Sequence, residues 1–299
     1  MMQKMMANLA FFIVRLMSYL PMRAIRWIGN TLGLLTYHIL RERRNVGLVN
    51  LTLCFPDMSK AEKRKIIKQH FKYLITAGLE YGLVFYASKE KIKQIVSIKN
   101  GHYLNQIYER RPIILLCPHF VGLDIGAIRL SLDYVGYSIY SKQKNNYIAE
   151  QIKRGRLRFI ADYGAEIFSR QEGLRPIIRV LKKTNRLFYY LPDQDFEKDS
   201  LFVPFFAHKT CSTLNALPKI VSLTNAIVVP MAVYRVGDKY EVEISQPWDN
   251  YPTDNLENDV IRMNQFIEEA VLKNIAQYFW LHKRFKTQPD GRHKLYKDC

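Results

Sequence analysis

From Pro112 onward the chain alternates between short apolar runs and stretches of helical periodicity, and this alternation limits its fold more than any other feature. Strand-like runs fall at residues 113–117, 137–140, 165–168, 187–191, 227–234 and 240–244. Helical patterns fall between or after them, at residues 125–132, 147–163, 174–183, 213–223 and 259–276. Such an order predicts an α/β fold with a largely parallel central sheet flanked by helices. Ligands of such sheets bind beyond the carboxyl ends of the strands. The 299 residues leave room for one large domain or two modest ones, and no internal repeat or Gly/Pro-rich linker divides them.

Ahead of this core, residues 1–50 carry Lys4, Arg15, Arg23, Arg26, Arg41, Arg43 and Arg44 against one acid, Glu42. The longest uncharged run there, residues 27–40, is 14 residues long, short of the roughly 20 that span a bilayer. Arg15 interrupts the other apolar stretch, residues 5–22, and would cost about 2.5–3.5 kcal/mol at a bilayer centre. No small-residue cleavage site follows, which argues against a secretory signal peptide. The pattern predicts an N-terminal membrane-associated helical segment, residues 1–44, lying in the interface or serving as an uncleaved anchor. Arg41, Arg43 and Arg44 would then face anionic lipid on the cytoplasmic side. The alternative is a pair of core helices in a soluble protein. Ser59 with Glu62 forms a capping box that opens an amphipathic helix reaching about Tyr86. The expected organisation is therefore 1–44, then a helical lead-in over 45–111 and an α/β core over 112–299.

Charge narrows the partners. Lys and Arg total 45 against 27 acids, a net charge of +18 with pI near 9.7, which calls for anionic partners. A content of 48% hydrophobic and 24% charged residues excludes a disordered, collagen-like or coiled-coil chain. Cys54, Cys117, Cys211 and Cys299 are far apart without metal-ligand spacing, as thiols in a reducing compartment would be.

The chemistry-bearing residues follow the strands. His119 comes just after the run 113–117, and Asp124 five residues later as a helix begins. An acid held against one imidazole nitrogen orients the ring and leaves the other nitrogen to take a proton from a hydroxyl. Chance alone supplies about 0.6 such spacings in a chain of this composition, and a second copy, His293–Asp298, sits in the basic tail. Context favours the first, which lies at a strand-to-helix turn between Pro118 and Gly122. No nucleophile elbow, Walker loop or dinucleotide fingerprint accompanies it, and Cys117 reads as a buried thiol. A His–acid pair with no covalent partner fits direct transfer, in which a substrate hydroxyl attacks. Further cations and acids follow at strand ends: Arg154, Arg156 and Arg158 in one turn, then Arg170, then Asp193 and Asp195. Together they predict an anion-binding cleft, with Phe202, Phe205 and Phe206 as an acyl groove or as core aromatics.

This order of blocks resembles the glycerolipid-type acyltransferases, and more closely the late (lauroyl/myristoyl) acyltransferases of lipid A biosynthesis. The resemblance covers nearly the whole chain. It rests on Arg43, Arg44, Asn45 and Val46 with Asn50, Leu51, Cys54, Phe55 and Pro56, on His119 with Asp124, and on Gly155, Arg156, Leu157 and Arg158. It continues with Pro192, Asp193, Gln194, Asp195 and Phe196, with Val203, Pro204, Phe205 and Phe206, and with the string from Gln277 to Thr287. Asp124 stands where many members have Glu, and Gln288 where Arg is frequent. The resemblance implies a bacterial inner-membrane enzyme at the cytoplasmic face, needing no cofactor or metal. It would move a fatty acyl group from acyl carrier protein to a hydroxyl of a 3-hydroxyacyl chain on a Kdo-bearing, phosphorylated glycolipid. In that reading His119 is the general base and Asp124 orients it, Arg156, Arg158 and Arg170 bind the lipid's phosphates or help hold the substrates, and Asp193 and Asp195 shape the site.

Two other readings compete. Asp193 and Asp195 have the DxD form that holds a divalent cation and nucleotide phosphates in glycosyltransferases. Lys283, Arg284, Phe285 and Lys286, with Tyr278 and Trp280, interleave cations with aromatics as a basic membrane- or nucleic-acid-binding protein would. No nucleic-acid signature supports the latter, and nucleic acid is the least expected partner.

Overall fold

The computed structural model describes residues 2–140, 145–290, 294–297 and 299; His293 and Asp298, the second His–acid spacing, lie outside the described residues. Its frame is a sheet in the order β1 (Val96–Lys99), β9 (Lys239–Ile244), β8 (Ile227–Val236), β2 (Ile113–Leu116), β5 (Leu187–Tyr190), β3 (Gly136–Tyr140) and β4 (Ile167–Ser169). Strands β8, β2, β5, β3 and β4 run parallel, as the alternation predicts, while β9 returns antiparallel to β8 and β1 pairs parallel to β9. Every residue of β2 is buried, with Ile114 and Leu116 in one apolar cluster and Ile113 and Leu115 in another on the opposite face. This is why a central parallel strand reads as a continuous apolar run rather than an alternating one.

Helices α5 (Lys89–Ile95), α6 (His102–Ile107), α7 (Leu123–Leu130), α8 (Asn146–Leu157), α9 (Arg175–Leu181), α10 (Ala216–Thr224) and α11 (Leu256–Lys273) complete the α/β part. An antiparallel ribbon of β6 (Ser200–Phe205) and β7 (His208–Leu214) was not legible in the sequence, which assigned residues 213 onward to a helix. Its register shifts between Val203 and Phe205, around Pro204, so the period-two pattern is broken where it would be read. Val203, Phe205 and Cys211 are buried while Phe202 is exposed.

Ahead of α5 and the sheet lie α1 (Met2–Met17), α2 (Met22–Ile39), α3 (Arg41–Cys54) and α4 (Lys60–Tyr86). The capping box is formed, with the Ser59 hydroxyl accepting from the Glu62 amide and the Glu62 carboxylate accepting from the Ser59 amide at 3.0 Å. Helix α2 lies directly on α4, because Gly29 and Gly33 have no side chains. A Cβ at Gly29 would come within 2.3 Å of Thr76 Oγ1, and one at Gly33 within 2.5 Å of Lys72 Cα. Arg26, one of the cations of the segment expected to associate with the membrane, is buried. Its Nε lies 3.4 Å from Glu80 of α4 and its Nη1 2.9 Å from Asp238 in the β8–β9 turn, and the Tyr240 hydroxyl donates to the same Glu80. The expected division at 44/45 thus falls inside α3, within a continuously packed helical layer. Outward, α1 exposes Leu9, Phe12, Ile13 and Leu16, and α2 exposes Trp27, Leu35 and Ile39. Among the described residues, no helix is long and apolar enough to cross a membrane.

Candidate active site

Strands β2 and β5 pair parallel with Leu116 opposite Tyr190. Three residues beyond each comes a polar side chain, His119 from one loop and Asp193 from the other, so the register sets them side by side. Nδ1 of His119 lies 2.6 Å from Oδ1 of Asp193, and the His119 amide donates to Oδ2 at 2.7 Å. Both carboxylate oxygens are therefore used to fix one residue, ring and backbone together. Asp193 is 2% exposed. Burial alone would raise its carboxyl, but the His119 imidazole and the two hydrogen bonds outweigh this and hold it below the usual carboxylate range. Nδ1–H then donates to Asp193 and Nε2 is left as the basic nitrogen of the ring.

The His119 loop is clamped from behind by the C-terminal string. Phe279 N donates to His119 O at 2.9 Å and Val121 N to Gln277 O at 3.0 Å, with Phe120 bridged to Tyr278. That string is itself held by α3, since the Asn50 amide donates to the carbonyls of Trp280 and His282, each at 2.7 Å. Tyr278, Trp280, Arg284 and Phe285 are buried, and the Arg284 guanidinium donates to Ser212 O and Thr213 Oγ1. These aromatics and this cation are thus interior packing rather than the nucleic-acid surface of the competing reading.

Asp124, expected to orient His119, is engaged elsewhere. It sits in the first turn of α7, where a carboxylate complements the helix N-terminus. Oδ1 forms an ion pair with Nη2 of Arg156 at 2.7 Å, and Oδ2 accepts from the Tyr81 hydroxyl. The expectation is corrected: the hydrogen bond it assigned to Asp124 is made by Asp193, and Asp124 holds Arg156 instead. The Asp124 carboxylate raises Arg156 further above its ordinary value, and burial beside the same carboxylate raises Tyr81. Tyr81, on α4, had no signal in the sequence.

His119, Asp124, Arg156 and Tyr81 all line one cavity of about 620 Å3. Its other walls are mainly apolar and come from α4 (Leu74, Ala77, Gly78), α7 (Ala127, Ile128) and β3 (Tyr137, Ile139). Glycine at 122 is required where α7 begins, since a Cβ there would lie 2.9 Å from both Tyr240 and Val233.

The remaining expected residues lie outside this cavity. The two Nη atoms of Arg158 donate to Phe85 O and Leu83 O, each at 3.2 Å, capping the C-terminus of α4; burial lowers the guanidinium to about 10. Arg170 stacks over Phe196 at 4.2 Å. Asp195 accepts from the Thr287 amide at 3.0 Å and the Thr287 hydroxyl at 2.9 Å. With Asp193 committed to His119 and Asp195 to Thr287, the two carboxylates do not converge as the DxD reading requires. Phe205 and Phe206 pack on each other and on Tyr278 and Phe55, which makes them core aromatics, the second of the two expected roles. Cys117 is buried, which raises its thiol well above the ordinary value, as a structural role requires.

The family model described as bacterial lipid A biosynthesis acyltransferase matches residues 1–287. The chain is 33% identical to a lipid A biosynthesis acyltransferase of Haemophilus influenzae, over 91% of this chain and 88% of that protein. It is 29% identical to the lipid A biosynthesis lauroyltransferase of Escherichia coli, over 93% and 90%, and 27% identical to the myristoyltransferase of that organism, over 89% and 82%. Among solved structures, the 1-acyl-sn-glycerophosphate acyltransferase of Thermotoga maritima aligns with a TM-score of 0.40 at 13% identity, over 83% of this chain and 97% of that one.

Proposed function

Since the chain belongs to the bacterial lipid A biosynthesis acyltransferases, we propose that it transfers a fatty acyl group from acyl carrier protein to a hydroxyl of the Kdo-bearing lipid A precursor, with His119 as general base. The observation that carries this reading is the His119–Asp193 pair, built at the carboxyl ends of two parallel strands and opening into an apolar cavity. Nε2 of His119 takes the proton of the attacking hydroxyl as its oxygen bonds to the thioester carbonyl carbon. Asp193 stabilises the imidazolium so formed. The tetrahedral intermediate collapses with cleavage of the C–S bond, and the imidazolium returns its proton to the departing thiolate. Arg156, aimed by Asp124 and Tyr81, supplies positive charge at the same wall, for the developing oxyanion or for a phosphate of the acceptor. The acyl chain lies in the cavity between α7 and β3.

The protein works at the cytoplasmic face of the inner membrane, with the outward faces of α1 and α2 in the lipid interface. The exposed stripe Leu9, Phe12, Ile13 and Leu16, continued by Trp27, Leu35 and Ile39, is what such a helix presents to acyl chains, with Arg23, Arg41, Arg43 and Arg44 for anionic headgroups. The test is acyl transfer by His119→Ala at matched folding and vesicle binding. Loss of at least about a hundredfold is expected, the low end of what a general base contributes; turnover near that of the unmodified protein would refute the base.

A further inference from the structure

Gly78 stands in the middle of α4, a helix of 27 residues, where glycine is the least favourable residue after proline because its backbone is the freest to lose. Other glycines within helices have a neighbour that excludes a side chain: Thr76 at Gly29, Lys72 at Gly33, Val14 at Gly82 and Phe85 at Gly155. At Gly78 a Cβ would meet nothing within 4 Å, and its backbone is ordinary helix without a positive φ. Neither packing nor conformation calls for glycine there. What does lie beside Gly78 is the cavity, whose wall it shares with His119, Asp124 and Arg156. The residue is exposed, so it stands at the mouth, one turn from Tyr81. Ile128, Ser131, Tyr134 and Tyr137 line the same cavity and are buried, so that part of its wall is closed to solvent.

We infer that Gly78 is a specificity-determining residue, keeping the cavity mouth wide enough for a lipid that carries several acyl chains. The identity of the two chains rests on the acyl-transfer reading. An acyl donor threads a single chain toward that closed part of the wall. The acceptor presents one hydroxyl-bearing chain while its sister chains stay outside, so it must lie across the mouth where Gly78 adds no bulk. A side chain at position 78 obstructs the acceptor and leaves the donor chain its path.

The test compares Gly78→Leu and Gly78→Ala in the full-length protein. Binding of a lipid A precursor in detergent micelles and of laurate, a single-chain probe, is followed by intrinsic fluorescence. Gly78→Leu weakens the precursor about tenfold and laurate by less than about twofold, the scale on which extra methylenes act in an apolar pocket. Gly78→Ala melts at a higher temperature than the unmodified protein, since alanine is the better helix former. In transfer assays Gly78→Leu acts through the acceptor KM, with the donor KM unchanged. Equal weakening of both probes, or of neither, overturns the assignment. If the binding difference holds but the unmodified protein transfers no acyl group, it is the transfer reading that fails and the role of Gly78 that stands.

Discussion

Asp193 and Asp195 send their carboxylates to different partners, His119 and Thr287, and the amide between them and the C-terminal string is answered by a third side chain: Asp195 N donates to Nε2 of His282 at 3.0 Å. Accepting that bond requires a neutral ring. Burial, with Arg284 nearby, lowers His282 from the ordinary 6.5 to about 4. His70, fully buried with Nδ1 2.9 Å from Ala276 O, is lowered to about 4 by burial as well. Between pH 6.5 and 4 the unfolded chain binds protons at these rings that the folded chain refuses, so stability falls as pH falls through that window. Each ring contributes roughly 3 kcal/mol across it. The midpoint of thermal unfolding is expected to drop from pH 7 to pH 4.5, and to drop less in His282→Gln; an equal drop would refute the assignment to His282. At this scale the sequence showed which residues mattered better than how they pair. His119, Asp124, Arg156 and Asp193 were all legible as a set, but His119 and Asp193 meet across 74 residues through strand register, which local spacing does not encode. One signal was present: Pro118 before His119 and Pro192 before Asp193 mark two strands that end alike.

Among the elements, α4 joins the outer helices to the site. Glu80 faces Arg26 of α2 and Tyr81, the next residue, faces Asp124. Arg26 and Glu80 are both nearly inaccessible, with side chains 5% and 3% exposed, so removing Arg26 leaves the Glu80 carboxylate buried without a countercharge in contact, its remaining partner being the Tyr240 hydroxyl. Arg26→Ala is expected to destabilise the fold by about 3 kcal/mol, read as a shift in denaturant midpoint, and Glu80→Gln should restore part of the loss. The outward face of the same layer behaves differently. Phe12→Gln with Leu16→Gln should leave the melting temperature nearly unchanged and abolish flotation with anionic vesicles; undiminished flotation would remove α1 from the membrane contact. The elements themselves were largely legible, since central strands and capped helices declare themselves by apolar runs and by Ser59 with Glu62. The β6–β7 ribbon was not, because Pro204 interrupts its alternation, and α2 was misjudged because its buried Arg26 looks in sequence like its exposed Arg23.

For the whole molecule, the net +18 divides into cations with interior work and cations left at the surface. Arg26, Arg284 and Arg158 serve the fold, tied to Glu80, to the β7 backbone and to the end of α4. Arg156 serves the cavity. The other arginines of the N-terminal helices, with many lysines, are the cations that the proposed membrane contact would use. In the proposed mechanism catalysis runs through His119 held by Asp193, with Asp124 acting on Arg156. The most direct measurement is transfer of a labelled acyl chain from acyl carrier protein to the lipid A precursor by Asp193→Asn and Asp124→Asn, matched for folding and vesicle binding. An amide at 193 cannot stabilise the imidazolium, so Asp193→Asn should lose about a thousandfold or more in kcat, and Asp124→Asn should lose less. Near-normal turnover by Asp193→Asn, alongside an inactive Asp124→Asn, would contradict the account and return the base to the local His119–Asp124 pair.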